Sequence, residues 1–164
     1  MWSMIGRLGR FWTLFGLALL AACSAEVGEI DFVALTRSES PHDALGCPVD
    51  LCTAKADLVT RPVGLSAPDL AAKVLRTLPA EPRTELVSQH SAAPEGAVAL
   101  VLVQRSAVFR FPDTINVLVR PLDAQHAVIA IYSRSNYGYG DFGVNLTRIK
   151  TWLAALGVES YESN

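Results

Sequence analysis

The stretch SRSNYGYGDFGVNLTRI, residues 133–149, decides the fold. Its first residues close an apolar, alternating run that starts near His126, and its last residues open an amphipathic one. Between them Tyr137-Gly138-Tyr139-Gly140 supplies turn residues, and Asp141 stands where the positive end of a helix favours an acid. From there Phe142, Leu146, Ile149, Leu153 and Leu156 recur at spacings of four and three, a buried helical stripe over 142–156, with Gly157 suited to the C′ position. The segment reads as strand, turn, helix. Asp141, Asn145, Arg148 and Trp152 share a second helical face beside the stripe. On the strand, Tyr132 and Arg134 point one way, Ser133 and Ser135 the other. Gly138 and Gly140 read as positions of positive φ, and Gly143, a costly glycine one turn into the helix, as a point of close approach by backbone or ligand.

Outward from this junction the chain alternates strands and turns. Strands are expected at 56–63, 84–89, 97–111, 114–122 and 126–135, the third of these bent or broken near Ser106. A helix over 66–78 begins with Ser66 as N-cap, Pro68 in the first turn and Asp69 at the positive end. Leu70, Val74 and Leu78 share one face, and Pro79 and Pro82 end it. The order β-α-β-β-β-β-α, with short connectors, predicts an α+β domain: an antiparallel sheet of about four to five strands with two helices packed on one face. Arg105 falls in phase with Val101, Val103, Phe109 and Phe111, so it is expected to face the core and to need a carboxylate from Asp113 or Asp141.

The start of the chain carries a different signal. Arg7 and Arg10 precede the apolar run 11–20, which is too short to span a bilayer. Leu20-Ala21-Ala22-Cys23 follows and resembles the lipobox of bacterial lipoproteins. The resemblance implies cleavage of residues 1–22, acylation of Cys23 and a lipid bilayer as first partner; Ser24 after it implies the outer rather than the inner membrane. Residues 23–45 read as a tether, with a short docking strand possible at 32–35, and 46–158 as a single domain. Without residues 1–22 the chain has 12 basic and 16 acidic residues, a formal charge of −4, unsuited to nucleic acid. With Cys23 acylated, Cys47 and Cys52 remain as an even pair in an oxidising compartment, which predicts a disulfide; a metal clip and two free thiols are the rival readings.

The run Arg105-Ser106-Ala107-Val108-Phe109-Arg110-Phe111-Pro112-Asp113, followed by Ser133-Arg134-Ser135 and by residues 138–149, resembles the domain of unknown function 1499 family. That family carries an R-S-x-x-F-x-F-x-D strand and an R-S-x-S-R-x-G-x-x-D-x-G-x-N-x-x-R-I segment that enters the last helix. The likeness covers roughly residues 50–156. Tyr132 stands where the family has an Arg, and Thr114 where it often has a second Asp. The family brings no established activity.

Candidate binding residues are Arg105, Ser106, Asp113, Ser133, Arg134, Ser135, Asp141, Asn145 and Arg148. Two readings of them stay open: helix-on-sheet packing, or a small anion site in which the helix N-terminus, Arg134, Arg148 and Ser133 or Ser135 share a pocket. No Gly-x-Ser-x-Gly and no phosphate loop occurs, and His42, His90 and His126 have no ligand partners at metal spacing, so no cofactor or metal is expected. The expected function is a periplasm-facing, membrane-anchored, non-catalytic binding or scaffolding module of the cell envelope with a protein partner. The alternatives are a small-ligand binder with a pocket between sheet and last helix, and a hydrolase without a visible motif.

Overall fold

A computed structural model describes residues 28–163. The expected signal segment 1–22, Cys23 and Ser24 lie outside the described residues. The rest is α+β: two helices and one open sheet of seven strands in the order β3-β4-β5-β6-β1-β2-β7. Every neighbouring pair is antiparallel except β1 with β2.

The middle of the sheet is the part the alternating sequence announces. β4 (Ala97–Arg105), β5 (Pro112–Pro121) and β6 (Ala127–Ser135) are joined by short connections and are almost wholly buried. β3 (Thr84–Ala92) forms one edge. The other half is built by short strands: β1 (Asp43–Pro48), β2 (Leu58–Thr60) and β7 (Ser160–Glu162). β1 and β7 were not expected. β1 lies partly in the stretch read as a tether. It forms because Asp43, Ala44, Leu45 and Gly46 pair with Arg134, Ser133, Tyr132 and Ile131 of β6. The segment before it is packed too, with Phe32 only 4% exposed.

Both helices cover one face, as expected. α1 (Ala67–Thr77) starts at the Ser66 cap, whose hydroxyl accepts from Asp69 N–H, and buries Leu70, Ala71 and Val74. α2 (Val144–Leu156) buries Asn145, Arg148, Ile149, Trp152, Leu153 and Leu156. They close over Leu100, Leu102, Ile115, Val117, Ile129 and Ile131. Each of these residues, once buried, contributes about 1.5–3 kcal/mol of transfer free energy. Lys73 of α1 donates to the Leu156 carbonyl at 2.7 Å and so caps the C-terminus of α2. α2 packs tightly on the sheet at Gly46, where a Cβ would stand 3.1 Å from Ile149 Cγ2. The opposite face carries a second cluster of Leu45, Cys47, Ala99, Leu118, Ala130 and Tyr132 beneath Phe32 and Leu51. Cys47 and Cys52 are joined by a disulfide, closing the loop after β1.

Three local expectations fail. The break expected near Ser106 is there, but no strand resumes before Pro112: β4 ends at Arg105, Ser106 N–H donates to the Phe111 carbonyl, Phe111 N–H returns to Ser106 Oγ, and Arg110 adopts φ +59°. That turn takes Phe109 and Phe111 out of strand alternation and leaves them 73% and 45% exposed. α2 begins at Val144, so Phe142, at φ +54°, stands outside the stripe and fully in solvent. Gly143 is the N-cap at φ +78°, and a Cβ there would meet nothing within 4 Å. Backbone conformation, not close approach, is what demands a glycine.

Candidate functional site

The end of β6, the start of β5 and the first turns of α2 meet at one end of the sheet, on the helix-covered face. Arg148 lies at their centre and is 8% exposed. Its Nε donates to Gln104 Oε1 at 2.6 Å, Nη1 to Ser133 Oγ at 2.7 Å and Asn145 Oδ1 at 2.5 Å, and Nη2 to Asp113 Oδ2 at 2.5 Å. Ser133 Oγ in turn donates to Asn145 Oδ1 at 2.6 Å. A buried guanidinium is tolerated only when paired and hydrogen-bonded, and both conditions hold here.

A second tier links this centre to the chain around it. Asn145 Nδ2 donates to the His42 carbonyl, to Ser135 Oγ and to Asp141 Oδ2, the last at 2.6 Å. Asp141 accepts from Gly143 N–H at 2.9 Å and Asn145 N–H at 2.8 Å. Its carboxylate thus satisfies helix donors that Gly143, with no side chain, cannot reach. The spacing Asp141, Asn145, Arg148, Trp152 is therefore realised, with Asp141 just before the helix rather than on it.

Of the nine candidates, Asp113, Ser133, Ser135, Asp141, Asn145 and Arg148 come together, and Arg105, Ser106 and Arg134 do not. Arg105 shares the phase of Val101 and Val103, but the helices cover Leu100 and Leu102 instead. Among the described residues its guanidinium reaches only the Arg110 carbonyl, at 3.4 Å. Ser106 closes the β4–β5 turn. Arg134 lies on the face away from α2, beside Asp43. The anion pocket that would unite Arg134 with Arg148 is therefore split by the sheet itself. Gln104 is the member that sequence reading missed; its even phase with Leu100 and Leu102 was the available signal.

A second charged node, also missed, lies on the opposite face. Arg37 reaches Asp43 at 2.6 Å and Asp57 at 2.9 Å, and Tyr132 Oη donates to Asp43 Oδ2 at 2.7 Å. Burial and then the Asp43 hydrogen bond push the Tyr132 phenol far above its usual range. Burial alone would lower the Arg37 pKa, and the bonds to Asp43 and Asp57 outweigh it, so the net direction is up. These groups border a groove of about 490 Å³ that runs beside the start of α2 past Asp141, Phe142 and Leu146. Asp43, Asp57 and Asp141 line it against one cation, Arg37, a charge balance wrong for an anion.

Around the same end of the sheet, aromatic rings stand in solvent. Phe109 stacks on Phe111 with centroids 5.6 Å apart, and Phe111 meets Tyr137 at 5.8 Å. Tyr139 is 77% exposed, and Phe142, three residues later, is fully exposed. Among the described residues no three His, Cys, Asp or Glu side chains come together as a metal site, and no helix is long and apolar enough to cross a membrane.

The family model described as "Protein of unknown function (DUF1499)" matches residues 38–156. No curated protein and no solved structure matches the chain.

Proposed function

The chain belongs to the DUF1499 family, and from that premise we propose that it is a lipid-anchored, non-catalytic binding module of the bacterial cell envelope. It faces the periplasm, is held by acylated Cys23, preferentially in the outer membrane, and docks an envelope protein. The observation that carries the binding reading is the exposed aromatic ridge of Phe109, Phe111 and Tyr137, with Tyr139 and Phe142 exposed in the loop that continues from it. Exposed apolar clusters of this kind mark interaction surfaces, and aromatic residues dominate their energetics. Arg110 and Phe142 hold positive φ angles within the ridge loops, a conformation that costs side-chain-bearing residues of order 1–3 kcal/mol. The fold sustains that cost while leaving the Phe142 ring in water.

The non-catalytic reading rests on the Arg148 centre. Its charged and amide groups are engaged with one another and buried, so they clasp α2 to the sheet. The anchor reading rests on the motif at Cys23. Eight residues lie between Cys23 and buried Phe32, nine steps of chain with a reach of at most about 32 Å, so an acylated chain would hold the domain close to its membrane.

Two experiments test the proposal. Mass spectrometry of protein purified from native membranes should find an N-terminal peptide that starts at acylated Cys23. An uncleaved chain, or one cut elsewhere, removes the anchor. A photo-crosslinking residue at Tyr139 should give one discrete protein adduct in the intact envelope, and the same residue at exposed Thr151 should give none. Equal labelling from both positions, or none from Tyr139, overturns the docking reading.

A further inference from the structure

A half-open cleft of about 440 Å³ lies on the sheet face away from the helices, between the segment at Phe32 and strands β4 and β5. Its volume falls within the range of small-molecule sites, about 300–1,000 Å³. Along its floor β5 presents Asn116, Leu118 and Arg120 in strand alternation, with Ala99 of β4 beside them. Asn116 is 2% exposed, and among the described residues its Nδ2 has no hydrogen-bond partner. Arg120 Nε is buried and equally without a partner among them. Unmade hydrogen bonds at buried donors are costly, and two of them lining one cleft call for acceptors from outside the chain.

The segment at Phe32 adds Glu29 and Asp31 to the lining. Glu29 pairs with His90, and Asp31 Oδ1 accepts from Val33 N–H at 2.9 Å. Two carboxylates and one guanidinium in its lining make the cleft a poor home for a simple anion. The donors on its floor make it equally poor for a simple cation. A molecule with a carboxylate, an ammonium and an apolar body answers all three features.

We propose that this cleft binds a small apolar zwitterion of the amino-acid or dipeptide kind. Its carboxylate and carbonyl oxygens would accept from Arg120 and Asn116. Its apolar part would cover Leu118 and Ala99, and its ammonium would face Glu29 and Asp31.

Calorimetry on the full processed chain tests this, with leucine and leucyl-leucine as probes and leucinamide and 4-methylpentanoate as controls that each lack one charge. At least one zwitterion should bind saturably at one site, and both controls at least tenfold more weakly. Arg120→Gln should weaken the zwitterion at least tenfold and narrow its margin over leucinamide. Asn116→Leu should do the same to affinity while raising the melting temperature of the ligand-free protein by a few degrees, because it removes an orphaned donor. A merely structural Asn116 would give a lower melting temperature instead. The proposal is overturned if neither zwitterion binds, if the controls bind as well, or if both variants bind as the wild type does. A cleft that holds only water would give the first of these results.

Discussion

Arg148 in the second turn of α2 and Asp113 at the start of β5 meet at 2.5 Å with side chains 6% and 11% exposed. They lie 35 residues apart, and their contact ties the last helix to the centre of the sheet. Removing one partner strands the other. Arg148→Ala should therefore cost about 3–5 kcal/mol, the penalty of an uncompensated buried charge. In a double-mutant cycle with Asp113→Ala, read by urea denaturation, a coupling of about 0.5–3 kcal/mol is expected. Coupling near zero would mean that Arg148 is held by Gln104, Ser133 and Asn145 alone.

Asp141 supplies the cap that Gly143 cannot. Asp141→Ala releases Gly143 N–H, Asn145 N–H and Asn145 Nδ2 together. A loss of about 0.5–2 kcal/mol is expected, as for other N-terminal caps. Asp141→Asn keeps one acceptor oxygen and should lose less. If Asp141→Ala left the melting temperature unchanged, these bonds would carry no stability, and a role for the carboxylate toward a partner would have to be sought.

What the sequence made legible follows from period. Helical spacing is strict and puts Asp141, Asn145, Arg148 and Trp152 on one face beside the apolar stripe, though not its burial; strand alternation is stricter and separates Ser133 and Ser135 from Tyr132 and Arg134. The two-helix α+β architecture came from the same patterns. Arg105 was misplaced for a definable reason. In β4 both phases are apolar, Leu100 and Leu102 as well as Val101 and Val103, so the pattern does not say which face the helices take. Phe142 was misplaced because four-residue spacing continued one step past the true cap. β7 has no buried residue to announce it, and β1 hides behind the polar residues of segment 36–43. The node of Arg37, Asp43, Asp57 and Tyr132 depends on long-range pairing that no local pattern encodes.

Tyr132 links that node to pH. Its folded-state pKa is raised, by burial and then by Asp43, above the value near 10 of an unfolded chain. The folded protein therefore holds this proton more tightly than the unfolded one. The stabilisation is fully present below about pH 10 and declines as pH rises beyond that. Tyr132→Phe lacks the ionisation but loses the hydrogen bond to Asp43, a cost of about 0.5–1.5 kcal/mol at neutral pH. Melting temperatures of the two proteins should differ at pH 8 and converge toward pH 11. A difference that stays constant with pH would show that the phenol does not titrate differently on folding.

The Cys47–Cys52 bond constrains the unfolded chain over a separation of five residues. A loop that short gives about 2 kcal/mol on the chain-entropy account. Cys47 adds a packing contribution, since it is 2% exposed within the cluster that holds Phe32 and Leu51. The double variant Cys47→Ser, Cys52→Ser places a hydroxyl in that cluster as well as opening the loop. Cys47→Ala, Cys52→Ala opens the loop with less disturbance of the apolar surroundings. The alanine pair should lower stability by about 2 kcal/mol and the serine pair by more. Reductant should lower the melting temperature of the wild type and leave both variants unmoved. If reductant leaves the wild type unchanged and its native thiols can be alkylated without it, the bond is not formed in the protein, and the rival reading of two free thiols returns.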